Sequence, residues 1–292
     1  MHEILRFPRG VLRRLLLVAL TGPGLLAGCG SADPAPAALP TPPARVLADQ
    51  EYARPAAGEP LLADVHIPAG PGPFPLVVTL HSGSWQRGSR GRMSDVAHGL
   101  QDAGFVAVNV EYRLAPEHPF PAQLEDARAA VRWARAEAAR FRGDPRFVAA
   151  YGYSAGGHLA LLLATDQAPD LAARVQAVVA GAAPSDLALL PEVPTLRRVF
   201  GAGRDEAPEV FRAASPVHHV SADDPPALLL HGADDWVVSP EHSRRMAARL
   251  RAAGVPTEYL ELPLGHVVGE LCPADQVRAA AAFLRRWAAG PR

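Results

Sequence analysis

The chain has 292 residues, 49% of them apolar, and a formal net charge of −1 at pH 7. Acids and bases nearly balance, so there is no electrostatic case for a nucleic-acid partner or for adsorption to an anionic membrane surface. All 29 basic residues are arginine, which together with the richness in Ala, Gly and Pro reflects codon usage and not function.

The chain opens with Arg6, Arg9, Arg13 and Arg14, followed by an apolar run from Leu15 to Ala27 that Gly22, Pro23 and Gly24 interrupt. That run is too short and too broken to span a bilayer, so residues 1–28 read as a cleavable signal peptide. It ends Leu26-Ala27-Gly28-Cys29, which resembles the bacterial lipobox. The resemblance implies cleavage before Cys29 and acylation of its sulfur. The protein would then be exported and lipid-anchored on the extracytoplasmic face of the cell envelope. The bland alternative is an ordinary secretory leader with an incidental cysteine. Residues 29–45 are rich in Ala and Pro, cannot bury a core and read as a flexible tether. Cys272 is the only other cysteine. With Cys29 acylated no internal disulfide forms, and Cys272 is expected as a packing residue near a helix start. A Cys29–Cys272 bridge would tie a flexible tail to a domain of a size that does not need it.

Residues 46–292 alternate short apolar runs with longer amphipathic segments. Residues 46–54 and 60–67 alternate like two antiparallel edge strands. Residues 75–81 (PLVVTLH) form a continuous apolar run, as a strand covered on both faces requires. Helix is expected over 92–103, strand over 105–112, helix over 121–140, and strand over 147–153 running straight into helix 155–165. Strands are expected at 175–180, 227–231 and 257–262, with helices at 240–253 and 274–287. This rhythm predicts one α/β domain with a mostly parallel, doubly wound sheet. About 183–224 the rhythm breaks into a Pro-rich stretch with two short helices, read as a lid-like insertion.

Gly152-Tyr153-Ser154-Ala155-Gly156 matches G-x-S-x-G between an apolar strand and a helix. The physical demand behind that pattern is a sharp strand-to-helix turn that lifts the Ser154 hydroxyl above the sheet, with flanking glycines where side chains would collide. A serine nucleophile needs a base, and the base needs an orienting acid. Among the histidines after Ser154, His158 points away along the helix, His218 and His219 fall in the insertion, His231 ends a strand, and His242 sits in an Arg-rich, exposed helix. His266 comes after the last strand in a loop and can reach back across the sheet edge. The acid belongs to the loop after the preceding strand, where Asp234 and Asp235 both qualify. Donors for a tetrahedral oxyanion are expected from the backbone N–H of Ala155 and from the loop His81-Ser82-Gly83-Ser84-Trp85, at Gly83 and Ser84. Trp85 suits either packing or a substrate platform. The chemistry needs no metal or cofactor, and no Cys/His cluster has metal-ligand spacing.

Together these stretches resemble the hormone-sensitive-lipase and feruloyl/acetyl-xylan-esterase (BD-FAE-like) branch of the α/β hydrolases. His81 to Trp85 is similar to that branch's H-G-G-G-W loop, Glu111 to Glu117 to its Y-R-L-A-P-E stretch, and Gly152 to His158 to its nucleophile segment. His231 to Val238 is similar to its H-G-x-x-D-x-x-V acid loop, and that alignment selects Asp235 over Asp234. Ser82 and Ser84 stand where the branch has glycines, which implies a tighter oxyanion loop. The resemblance implies an esterase working through Ser154, Asp235 and His266 on a small-molecule ester: acetylated or feruloylated carbohydrate, or short-chain esters. Amide cleavage by the same triad, or an inactive lipid-anchored binding protein, are the other readings.

Overall fold

The computed structural model describes residues 41–55, 58–165 and 170–290. The expected signal peptide, the tether up to residue 40 and the acylation site Cys29 lie outside the described residues. The chain is fastened before Val46, ahead of the end expected for the tether: Gly70 N–H donates to Pro42 O at 2.8 Å and Arg142 donates to Pro43 O at 3.2 Å.

The first two strands, β1 (Arg45–Ala53) and β2 (Leu61–Ile67), pair antiparallel. The sequence predicts both at an edge, but only β1 is there. Strand β2 also pairs with β4 (Val106–Val110), antiparallel, with Ala63 opposite Val110. Ala63, Val65 and Ile67 share one face and are fully buried, and His66 on the opposite face is buried as well. The chain continues through β3 (Phe74–Leu80), α1 (Ser94–Asp102), β4, α2 (Ala122–Ala136), β5 (Gly143–Tyr153) and α3 (Ala155–Thr165). Then come β6 (Val178–Gly181), α4 (Pro194–Phe200), α5 (Pro208–Ala213), β7 (Ala227–Gly232), α6 (Glu241–Ala252), β8 (Thr257–Leu262), α7 (His266–Leu271) and α8 (Ala274–Ala288). Among the described residues the eight strands form one sheet in the order β1-β2-β4-β3-β5-β6-β7-β8, parallel from β4 to β8.

Both faces of this sheet are covered, and that is why its central strands are apolar without alternation. Leu76, Val78 and Leu80 of β3 face a core with α2, α3 and α6. Val77 between them faces a second core with Val96 and Leu100 of α1 and Phe283 and Leu284 of α8. Helix α3 is buried nearly all round, so its sequence carries no polar face.

The connections and register of the strands decide which loops meet at the carboxyl edge of the sheet. The chain leaves β3 for β4 on one side and returns to β5 on the other, so the order reverses at β3. Open α/β sheets form their ligand crevices at the carboxyl ends of strands at such a point. Leu80 lies opposite Gly152, so the loop after β3 and the turn after β5 emerge side by side. Gly232 lies opposite Leu262, so the loops after β7 and β8 also leave the sheet level with each other.

Candidate active site

Ser154 sits between β5 and α3 with φ 54°, the left-handed region that few non-glycine residues adopt. Its N–H donates to Gly181 O at 2.8 Å, and its carbonyl already accepts from His158 N–H at 2.9 Å as the helix begins. The turn is so tight that a Cβ on Gly152 would stand 2.1 Å from Gly156 O, and one on Gly156 would stand 2.0 Å from Leu80 O. Glycine at both places is a steric requirement of the turn that presents the hydroxyl.

The structure brings Ser154, His266 and Asp235 together. His266 Nε2 lies 3.0 Å from Ser154 Oγ, and His266 Nδ1 lies 2.6 Å from Asp235 Oδ2. A carboxylate can only accept, so Nδ1 carries the proton and donates it, which leaves the Nε2 lone pair facing the serine hydroxyl. Asp235 Oδ1 is taken by Val237 N–H at 2.9 Å and Val238 N–H at 2.8 Å. Burial would raise this carboxyl's pKa; the nearby His231 ring, the hydrogen bond from His266 and the Val238 N–H outweigh it and hold the group below the usual carboxylate range. Asp234 is exposed, and its backbone N–H donates to Leu264 O.

His266 opens the short helix α7, where the sequence predicts a loop. Tyr153, inside the pentapeptide, donates its hydroxyl to His266 O at 2.8 Å, and Gln276 donates to Gly269 O. Tertiary ties thus make a helix of a stretch with Gly265 and Gly269 and little propensity of its own. His242 departs from expectation too. It is fully buried, with Nδ1 accepting from Ser185 N–H at 3.2 Å and Asp186 N–H at 3.3 Å, at the base of the insertion. Cys272 is an exposed free thiol between α7 and α8, not the packing residue expected.

Three supports are not evident from the sequence. His231 is read there as a strand end and as the first residue of the acid-loop motif, without a role of its own. Its Nε2–H donates to Val238 O at 2.8 Å and lies 3.4 Å from Asp235 Oδ2, steadying the acid loop. Tyr153 occupies the unspecified position of the motif, which gives no signal. The third support is Glu270, whose partners are separated from it by more than half the chain.

Gly83, Ser84 and Trp85 have φ 127°, 54° and 61°. Only Gly83 is barred from carrying a side chain, since a Cβ there would stand 1.8 Å from Arg87 O. Ser84 and Ala155 line the cavity beside Ser154, and Gly83 lies one residue back in the turn. Trp85 both packs and lines: it is 4% exposed, its Nε1–H donates to His158 Nδ1 at 3.1 Å, and it forms part of the cavity wall. The cavity measures about 180 Å³. The insertion supplies Leu190, Val193 and Leu196 to its wall, the acid loop supplies Val237 and Val238, and among the described residues no charged side chain lines it.

A mostly parallel sheet with a strained serine at its switch point, and a histidine and buried carboxylate on adjacent loops, defines the α/β-hydrolase class. The BD-FAE family model matches residues 63–250, and the chain belongs to that family. Esterase LipC of Mycobacterium tuberculosis is 38% identical over 213 residues, 66% of this chain and 53% of LipC. The chain spans about half the length of the curated relatives it matches. Among solved structures, a truncated carbohydrate esterase from gut microbiota superposes with a TM-score of 0.73 over 83% of this chain and 96% of its own, at 23% identity, and shares the fold. Esterase 2 of Thermogutta terrifontis, in its butyrate-bound form, superposes with a TM-score of 0.69 at 26% identity, over 84% of this chain and 94% of that one.

Proposed function

We propose that this protein is a serine hydrolase that cleaves carboxylic esters through an acyl-enzyme. The unbroken relay from Ser154 Oγ through His266 to Asp235, with the hydroxyl bordering an apolar cavity, carries the reading. Ser154 Oγ attacks the ester carbonyl carbon as its proton passes to His266 Nε2. The displaced electron pair settles on the carbonyl oxygen, which accepts from the backbone N–H of Ala155 and from the loop at Gly83 and Ser84. Asp235 stabilises the imidazolium. Collapse expels the alcohol, protonated by His266, and water then repeats the sequence on the acyl-enzyme.

The uncharged walls favour a neutral acyl group. At about 180 Å³ the cavity slightly exceeds a cavity of about 150 Å³ that accepts benzene. A short acyl chain or one aromatic ring fits, in keeping with acetylated or feruloylated carbohydrate and short-chain esters. The test is turnover of p-nitrophenyl esters from acetyl to long chain, beside acetylated sugars and formamides. Ser154→Ala should abolish ester hydrolysis with the fold intact; residual turnover near the wild-type rate would end the assignment.

We further propose that Cys29 carries a diacylglyceryl anchor that holds the catalytic domain at the outer face of a membrane. The support is the Leu26-Ala27-Gly28-Cys29 sequence and the Ala/Pro tether after it. Two acyl chains, at about 0.8 kcal/mol per buried CH₂, give stable attachment. Mass spectrometry of the mature N-terminus should find modified Cys29 as its first residue, and Cys29→Ser should release a soluble, active enzyme. Any other start would remove the anchor and leave the hydrolase assignment untouched.

A further inference from the structure

The loop that offers oxyanion donors and the helix that carries His266 come from opposite ends of the chain. One carboxylate joins them. Glu270 lies one turn beyond His266 in α7, on the same helical face. Its Oε1 accepts from the Ser82 hydroxyl and, at 2.9 Å, from Arg92 Nη1. Ser82 is buried and directly precedes Gly83 and Ser84. The rest of that loop is tied to the body of the fold. Tyr112 stacks on His81 at 4.0 Å and donates to its carbonyl, Trp85 Nε1–H reaches His158, and Ala115 N–H reaches Trp85 O. Among the described residues, the hydrogen bonds from this segment to α7 both end on Glu270.

Helix α7 has six residues, too few to hold its own shape. Tyr153 and Gln276 fix its backbone at His266 and Gly269, and Glu270 fixes its far end against Ser82 and Arg92. The hydroxyl that makes this link comes from a position where the similar H-G-G-G-W loop has glycine, so it stems from a departure of this chain.

We propose that Ser82, Glu270 and Arg92 form a clamp that sets the spacing between the oxyanion donors and His266, with Glu270 as a positioning residue; the inference rests on the hydrolase reading above. The donors and the base act on the same tetrahedral centre. An error in their spacing therefore weakens the transition state more than the bound substrate.

The test compares kcat and KM on p-nitrophenyl acetate, and the rate at which a fluorophosphonate labels Ser154, in the full-length chain. Glu270→Ala should lower kcat about tenfold to a hundredfold, the range that a misplacement of up to about 1 Å produces, with KM little changed. Ser82→Ala should act in the same direction. The Ser82→Ala/Glu270→Ala double variant should be no worse than Glu270→Ala, because both remove the same bond. Glu270→Gln keeps an acceptor oxygen for Ser82 and should restore most of the rate. If Glu270→Ala does not fold, Ser82→Ala, which removes a single hydroxyl, decides. Wild-type kcat in Ser82→Ala, effects that multiply in the double variant, or a lower melting temperature with unchanged kcat would overturn the clamp. A wild-type chain that takes the label but hydrolyses no ester would sink the ester assignment alone, with labelling rates of the same variants still deciding the clamp. A chain that takes no label ends both.

Discussion

Asp234 and Asp235 are neighbours in sequence with opposite surroundings, and the contrast makes a sharp prediction. Both oxygens of Asp235 are committed: Oδ1 to the N–H groups of Val237 and Val238, Oδ2 to His266. In Asp235→Asn the amide oxygen must stay with the two backbone donors. The NH₂ is then forced toward His266 Nδ1, which can only accept from it as the other tautomer. That puts the proton on Nε2, where Ser154 needs a lone pair. Asp235→Asn should therefore lower kcat by on the order of ten-thousandfold while the loop keeps its shape. Asp234→Asn, at an exposed side chain, should leave kcat near the wild-type value. Steady-state kinetics on one p-nitrophenyl ester measures both, and equal losses would contradict the assignment of the acid.

The elements around the site differ in how plainly the sequence announces them. Helix α3 and strand β8 run over the residues expected, 155–165 and 257–262, because each is bounded by a strong local signal. Strand β5 begins at Gly143, four residues before the expected start: Gly143-Asp144-Pro145 has turn chemistry, but the segment pairs with Phe74 and Pro75 across a bulge. His242, Met246 and Leu250 recur every four residues on the apolar face of α6, but the intervening arginines mask that period, and His242 is read as exposed. Helix α7 and the Glu270 contacts are not legible, because they depend on partners such as Ser82, 188 residues away in sequence. The turn at Ser154 is the clearest case, and its steric reading can be tested. In Gly156→Ala the new methyl would stand 2.0 Å from Leu80 O and 2.6 Å from His81 O, both backbone atoms that cannot swing aside. The substitution should cost about 1–3 kcal/mol or more, read as a lower urea midpoint. It should also displace β3 against α3 and so reduce activity in the fraction that remains folded. A variant as stable and active as wild type would mean that the turn is looser than its geometry states.

At the scale of the whole molecule, acid sensitivity arises from histidines that the fold holds neutral. His158 joins three parts: it sits on α3, accepts from Trp85 of the loop after β3 at Nδ1, and its Nε2–H donates to Ala214 O of the insertion at 2.6 Å. A second proton at Nδ1 would face the indole N–H with no acceptor between them. Burial, offset in part by the Ala214 bond, lowers the His158 pKa to about 4. Burial also lowers His81 and His242 to about 4. In the unfolded chain these rings take up protons near the usual value of about 6.5. Between that value and about 4 the unfolded state therefore binds more protons than the folded one, and stability falls as pH falls. Full titration of one such ring is worth on the order of 3 kcal/mol. Asp235 adds its own loss only at lower pH, because its folded pKa lies below the carboxylate range. Urea denaturation at a series of pH values should give an unfolding free energy that is level above pH 7 and declines from about pH 6.5 downward. The folded protein keeps His158 neutral through that fall, and only near pH 4 does protonation of His158 free Trp85 and the insertion from α3. An unfolding free energy that stays level from pH 7 to pH 5 would show that these histidines are not held neutral by the fold.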